Sequence, residues 1–400
     1  MPGGTTKRGM SPRPTAIDLF CGVGGMSLGF EQAGFDVLAA FDCEQRHVDT
    51  YHGNFPHAKA VCADLSALSG DEVRAQAGLG DRHIDVVFGG PPCQGFSFIG
   101  QRKRNDPRSE LLLHFARLVG EIKPSYFVVE NVSGVLKDWS AKWLQGFKKK
   151  ARQAGYELSE AMLLNAADFG VPQNRRRVFI IGAHKGLALP QCPEPLTTGN
   201  GNAGALLLRP VVSDAISDLP DIDDYGHLLT SNGIELKSKA AADYAQYLRG
   251  EKRDPTDLSR KRRKSLRLSG CLRTEHTDET RRRFRSTQQG EYEPVSRLYR
   301  LRWDGLAPTI RAGTDSSRGS FMAARPIHPE HDRCISVREA ARLHSFPDWF
   351  QFHGTKWHGF RQIGNSVPPL LARGAAQRIV EALCEGHAEE RHEDTATASL

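Results

Sequence analysis

The sequence predicts an α/β fold: a parallel sheet with helices on both faces, followed by a smaller and less regular second domain. Three observations predict it. Short apolar runs alternate with helix-like stretches from Thr15 to Gly182, the pattern of repeated strand–helix–strand units. The first run, Asp18-Leu19-Phe20, passes straight into the glycine-rich turn Cys21-Gly22-Val23-Gly24-Gly25. After Gly182 the alternation stops, and Leu187–Gly204 is rich in Pro, Gly, Thr and Asn, as in a linker.

The expected strands are Ala16–Phe20, Val37–Phe41, Ile84–Phe88, Tyr126–Val129 and Val178–Ile181. Each is a short apolar run bounded by turn residues. Met26–Ala33, Glu110–Ile122 and Ala141–Ala154 carry helical patterns between them. Ser336 followed by Glu339 forms a capping box that starts a later helix. Gly364 to Glu385 reads as a turn and an apolar helix. The expected divisions are a disordered stretch 1–14, a catalytic domain 15–188, a second domain 189–325, a return 326–385 and a disordered tail 386–400. No internal repeat is visible.

Bulk properties narrow the class. Of the 400 residues, 39% are apolar and 25% charged, an ordinary globular balance. No run approaches the roughly 18 apolar residues of a membrane span. Met1–Pro14 lacks the apolar core of a secretory signal. Eight cysteines occur without a Cys-x-x-Cys pair, which disfavours zinc ribbons and thioredoxin-type sites and suits a reducing cytoplasm. The net charge of +7 is uneven: Arg249 to Arg302 holds 17 Lys+Arg against 8 Asp+Glu. Such a segment suggests a polyanionic partner, nucleic acid first, with a solvated charge run as the rival reading.

In parallel sheets ligands bind beyond the carboxyl ends of the strands. Three informative segments fall there. The turn Cys21–Gly25 lets a ligand approach the backbone beside a helix N-terminus. It departs from the dinucleotide fingerprint, because Ser27 stands where the third glycine belongs. Asp42 ends the second strand and is placed to accept hydrogen bonds from a ribose. Asp64 follows Val61-Cys62-Ala63 and is placed to accept from an adenine amino group. This set suits an adenosine-containing cofactor, and leaves NAD and S-adenosylmethionine both open.

The second segment is Gly89-Gly90-Pro91-Pro92-Cys93-Gln94. Two prolines lack N–H groups and have fixed φ, so they stiffen a loop that presents Cys93 as a nucleophile. The third is Glu130-Asn131-Val132. A carboxyl group at a buried strand end has a raised pKa and can carry a proton near neutrality; the rival role is capping the next helix. Further on, Gln173-Asn174-Arg175-Arg176-Arg177 precedes an apolar strand. Alternation places Arg175, Arg177 and Phe179 on one face, with two guanidinium groups toward the ligand edge. A last segment, Gly364-Asn365-Ser366-Val367-Pro368-Pro369, is a tight turn that returns the chain.

In this order the segments resemble the C5-cytosine DNA methyltransferase family, over Thr15–Gly182 and about Leu306–Leu383. The resemblance implies a Rossmann-like S-adenosylmethionine-dependent methyltransferase sheet and a smaller, irregular target-recognition domain. It implies S-adenosylmethionine as cofactor, contacted by Phe20, Gly22, Gly24, Asp42, Asp64, Gly90, Pro92, Leu111, Asn365 and Ser366. Glu44 rivals Asp42 for the ribose. It implies Cys93 as the nucleophile toward C6 of a flipped cytosine, with Glu130, Arg175 and Arg177 gripping the base. Arg175 would also lower the Cys93 pKa. Double-stranded DNA is the implied substrate. Gln101, Arg102, Lys103 and Arg104 fall in a segment, Phe98–Arg108, that closes over DNA in that family. Arg260, Lys261, Arg262, Arg263 and the run Arg281–Arg285 are expected to meet phosphates. A monomer in the bacterial cytoplasm, beside a separately acting restriction endonuclease, is the expected setting.

Two other activities fit parts of the sequence. An NAD-dependent oxidoreductase explains the glycine turn but not the Pro-Pro-Cys loop. A tRNA cytosine-5 methyltransferase shares the chemistry, but its relatives carry a Cys-Phe-Thr segment where this chain has Cys271-Leu272-Arg273. A non-catalytic binding protein on the same fold is disfavoured by the intact Cys93, Glu130 and arginine set.

Overall fold

The computed structural model describes residues 13–92, 110–199, 206–236, 239–262, 267–314 and 325–397. The first half is built from β1 (Thr15–Leu19), α1 (Gly25–Gln32), β2 (Asp36–Asp42), α2 (Gln45–Asn54), β3 (Lys59–Cys62), α3 (Gly70–Ala77), β4 (Val86–Gly89), α4 (Leu111–Ile122), β5 (Tyr126–Val132), α5 (Ala141–Gln153), β6 (Tyr156–Leu158), β7 (Met162–Asn165), β8 (Gln173–Asn174) and β9 (Arg176–His184). All five strands expected from the apolar runs are present.

The sheet order is β3-β2-β1-β4-β5-β9-β6, with β7 also paired to β9. The strands from β3 to β5 are mutually parallel. The fifth expected strand corrects the all-parallel reading: β9 runs antiparallel to β5, β6 and β7. The cause is the connection. A helix crossover returns each early strand in the same direction, whereas β9 follows β7 after a short turn and must run back.

The central strands are fully buried, which is why they read as continuous apolar runs rather than alternating ones. One face packs Phe30, Phe35, Phe88 and Phe179 with the last helix. Phe30 and Phe88 stack with ring centroids 3.8 Å apart. The other face packs Phe115, Phe127, Phe147 and Tyr156 under α4 and α5. A Ser69–Glu72 capping box starts α3.

The remaining elements are β10 (Thr197–Thr198), β11 (Leu207–Leu208), α6 (Val212–Ile216), β12 (Gly233–Glu235), α7 (Asp243–Leu248), β13 (Arg267–Ser269), α8 (Asp278–Ser286), β14 (Ala307–Pro308), α9 (Val337–Arg342), α10 (Lys356–Asn365) and α11 (Pro369–Thr397). Strands here are two or three residues long and pair only locally, apart from β14 on β8. The Ser336–Glu339 capping box starts α9 as expected. Buried arginines organise this half. Arg333 holds Glu339 at 2.9 Å and Asp221 at 2.9 Å, and Arg342 holds Asp218 at 2.6 Å and Asp348 at 2.7 Å. Helix α11 then lies along α1, closing the first core. It continues to Thr397 rather than ending in a disordered tail after Gly386; the segment lacks proline and is rich in Ala and Glu, which favour helix.

Candidate active site

The glycine turn is fixed from below. Asp18 on β1 is buried and accepts a hydrogen bond from Ser27 Oγ at 2.5 Å; Tyr51 OH donates to the same Oγ at 2.8 Å. Burial raises the Asp18 pKa well above the usual carboxylate value, against the opposing Ser27 bond. So Ser27, the departure from the dinucleotide fingerprint, ties β1 to α1 and α2. Gly24 lies at φ 94°, and a Cβ there would sit 2.4 Å from the Phe55 ring and 2.9 Å from Tyr51. Only glycine fits both that backbone and that floor. Phe20 also has positive φ, 67°, an uncommon state for an aromatic residue and a marker of a constrained site.

Asp42 stands against this turn. Its Oδ2 accepts from Gly22 N at 2.9 Å, while Oδ1 accepts from Glu44 N at 2.9 Å and lies 3.1 Å from His47 Nδ1. Glu44 is more exposed and pairs with Arg46 at 3.1 Å. Asp64 is exposed; Ser66 donates to its Oδ1 from both N and Oγ and holds its pKa below the usual range. Beside Gly22 there is open space, since a Cβ there would meet nothing within 4 Å. An open glycine turn, a helix N-terminus and a strand-end acid fit an adenosine-containing cofactor.

Glu130 lies two residues before the end of β5, the strand next to β4, whose own end leads to Gly90, Pro91 and Pro92. Its carboxylate Oε1 is 3.0 Å from Arg177 Nε on antiparallel β9. Burial raises the Glu130 pKa, opposed by the positive charges of Arg177 and Arg175. A Cβ on Gly90 would lie 2.9 Å from Glu130 Oε2. Gly90 is therefore the floor against which the carboxyl group rests. Cys93 lies outside the described residues, as do Gln101, Arg102, Lys103, Arg104 and Arg263.

Arg175 does something other than face the ligand edge with Arg177. It is fully buried between β8 and β9. Its Nη1 donates to Ile310 O at 2.9 Å, and Nη2 donates to Gly364 O at 2.7 Å and Ser366 O at 2.8 Å. The adjacent Gln173 donates to Leu343 O and His344 Nδ1, both at 3.0 Å, and accepts from Ile310 N at 3.1 Å. His344 Nε2 reaches Ser366 O at 3.0 Å. One neutral tautomer satisfies both ring nitrogens, and burial drives the His344 pKa well down. The Gln173–Arg177 motif thus locks the return turn at Gly364–Ser366 onto the sheet. Ser366 is held there, while Asn365 next to it is exposed. Leu111 opens α4 and is half-buried.

The basic cluster has internal partners. Arg260 and Arg262 form ion pairs with Glu31 of α1, and Arg260 also with Asp36 of β2. Arg262 Nη2 pairs with Glu31 at 2.8 Å and its guanidinium lies 5.0 Å over Trp349; Arg260 Nη2 pairs with Asp36 at 2.5 Å. Glu31 is only 1% exposed, and a buried carboxylate requires such partners. Lys261 is exposed. In the later run, Arg281 pairs with Asp223 at 2.7 Å, Arg283 with Glu279 at 2.7 Å, and Arg285 with Asp332 at 2.8 Å.

Comparison with known proteins places this geometry. The model of the C-5 cytosine-specific DNA methylase family matches residues 15–381. The chain belongs to that family. It is 49% identical over 373 residues to the Type II methyltransferase M.XorII of Xanthomonas oryzae pv. oryzae, covering 93% of this chain and 85% of that protein. It is 33% identical to the Type II methyltransferase M.AgeI of Thalassovita gelatinovora, covering 92% and 99%. Among solved structures, a putative DNA modification methyltransferase encoded within a prophage in E. coli superposes with a TM-score of 0.75 at 34% identity, covering 92% and 99%. The protein is a DNA (cytosine-5-)-methyltransferase with S-adenosylmethionine as methyl donor, and the oxidoreductase and tRNA readings fall away.

Sequence reasoning missed the Asp18–Ser27–Tyr51 chain and the Gln173–His344–Ser366 lock. Ser27 was the available signal for the first. For the second the partners are about 170 residues apart, and no local pattern links them.

Proposed function

We propose that Cys93, Glu130 and Arg177 carry the methylation of cytosine, with Arg175 in a positioning role. The observation that supports this most is the buried Glu130–Arg177 pair at 3.0 Å, set against Gly90 at the entrance to the Pro-Pro-Cys loop. C5 of cytosine is a poor nucleophile because the ring is electron-deficient. Attack by the Cys93 thiolate forms the S–C6 bond and moves electron density toward N3 and C5. Glu130, whose pKa burial raises, donates a hydrogen bond or proton to N3. Arg177 holds Glu130 in place and orients it toward the base. S-adenosylmethionine, when bound, supplies an electrophilic methyl group on a sulfonium. Loss of the C5 proton and expulsion of the thiolate then restore the ring. The target base must leave the helix, at a cost of a few kcal/mol.

The cofactor set proposed is Phe20, Gly22, Gly24, Asp42, Asp64, Gly90, Pro92, Leu111, Asn365 and Ser366. Asp42 is preferred to Glu44 because it is bonded to the glycine turn itself. The proposed setting, suggested by the relatives' Type II names, is protection of host DNA beside a separately acting restriction endonuclease; we propose in addition a monomer in the bacterial cytoplasm. No described helix is long and apolar enough to cross a membrane.

Isotope-labelled S-adenosylmethionine and duplex DNA test the reading. Label should enter DNA at C5 of cytosine in wild type and not in Cys93→Ser, with cofactor binding retained. Full turnover by that variant would overturn the assignment.

A further inference from the structure

One turn in the second half of the chain is built for presentation. Residues 290–301 form a narrow loop closed by an antiparallel bridge between Tyr292 and Tyr299. Their rings lie 5.2 Å apart. Glu293 N donates to Leu298 O at 2.8 Å and Arg297 N to Glu293 O at 2.9 Å. Glu293 is fully buried inside the turn. Its carboxylate accepts from Val295 N at 3.1 Å, from Ser296 N and Ser296 Oγ, and pairs with Arg283 Nε of α8 at 3.2 Å. Those bonds hold its pKa below the usual carboxylate range, against burial. At the base, Arg300 is buried and donates to Pro329 O at 3.1 Å and Glu330 O at 2.8 Å.

This internal scaffold fixes an outward face of a particular composition. Tyr292 is 61% exposed and Val295 69% exposed, and Pro294 and Arg297 are exposed with them. Arg297 has φ 58°, a left-handed backbone that a non-glycine residue adopts at a cost of about 1 kcal/mol or more. Most arginines of the basic stretch are engaged with carboxylates or carbonyls. Among the described residues of that stretch, the Arg297 guanidinium has no ion pair or hydrogen bond, a property it shares with Arg253. Only Arg297 combines an unengaged fork with a strained and internally braced backbone.

We propose that this turn reads base edges of the DNA site, with Arg297 as a specificity-determining residue. A guanidinium fork matches the two acceptors of guanine in the major groove, and an exposed Val side chain matches a thymine methyl. The stiffness supplied by Glu293 lowers the ordering cost of that contact. The proposal rests on the reading of the chain as a DNA methyltransferase and adds where sequence is discriminated.

The test is methylation of a randomised duplex library, scored by bisulfite sequencing, by wild type, Arg297→Lys and Arg297→Gly. Arg297→Gly relieves the left-handed strain, so its melting temperature should equal or exceed that of wild type. Both variants should lose discrimination at a guanine position by about 10-fold or more, a bidentate pair being worth about 1–3 kcal/mol. Arg297→Lys should keep the salt dependence of binding, because it keeps the charge. Unchanged site preference in a folded Arg297→Gly would overturn the proposal. Uniform loss of methylation at all sites, with preference intact, would also overturn it by making Arg297 a phosphate contact. Absence of cytosine methylation by wild type would sink the parent reading instead.

Discussion

Glu130 Oε1 lies 3.0 Å from Arg177 Nε, across the one antiparallel junction between the parallel half of the sheet and β9. The pair exists because β5 and β9 run in opposite directions, with Val132 opposite Arg177 in the ladder. The carboxyl group is buried, raised in pKa and oriented, which is what proton donation to a bound base needs. Glu130→Gln should lower kcat by about 100-fold or more, with little change in the affinity for S-adenosylmethionine. Single-turnover methylation and equilibrium binding check the two halves.

Gly90 is coupled to the same group. A methyl at position 90 would fall 2.9 Å from Glu130 Oε2, and the carboxylate has little room to yield while Arg177 holds its other oxygen. Gly90→Ala should therefore reduce kcat about 10-fold or more while the melting temperature stays near that of wild type. An unchanged rate would show that Glu130 tolerates displacement.

The two arginines of the Gln173–Arg177 motif should separate by phenotype. Arg175→Met leaves the carbonyls of Ile310 and Gly364 without their donor, and Ser366 O with only His344 Nε2. Each buried unsatisfied acceptor costs about 1–3 kcal/mol, so the loss in stability should be about 3 kcal/mol or more in denaturant unfolding. Arg177→Met should cost less stability and more activity.

Arg262 is paired with the buried carboxylate of Glu31 at 2.8 Å. Arg262→Ala should destabilise by about 3 kcal/mol, the order expected for breaking a buried pair. The slope of log affinity for DNA against log salt should stay the same, whereas loss of one phosphate contact would reduce it by about 1. Binding isotherms at several salt concentrations decide between them.

Acid should weaken the fold through buried histidines. Burial holds His328 neutral, with its pKa lowered to about 3, and His276 with its pKa lowered to about 4. Below about pH 6.5 the unfolded chain takes up protons that these rings in the folded chain refuse. Stability is therefore fully present above that pH and falls as pH drops toward 4 and 3. Glu339, lowered to about 2 by Arg333 against the effect of burial, adds a loss of the same sign below about pH 4.5. Thermal melts between pH 7 and pH 4 should show a steady decline, shallower in His328→Asn.

Much of this was legible from residue order. The apolar runs located the strands, and the turns at their ends carried the chemistry, because parallel strands place their loops on one edge. The direction of β9 was not legible, since Val178–Ile181 reads the same in either sense. Nor were the partners of Arg175 and Arg262. A guanidinium on a surface and one buried against carbonyls or Glu31 look identical in a sequence, and the deciding contacts come from residues more than a hundred positions away. Charge counting located the basic stretch but not its internal partners, because Asp223, Asp332, Glu31 and Asp36 answer much of it from other segments.

The central claim is that the thiol of Cys93 becomes covalently attached to C6 of the target cytosine. The most direct measurement uses duplex DNA carrying 5-fluorocytosine at the methylated position, with S-adenosylmethionine, followed by peptide mass mapping. A denaturation-stable adduct at Cys93, absent in Cys93→Ser, is the predicted result. An adduct on another residue, or turnover without any adduct, would contradict it.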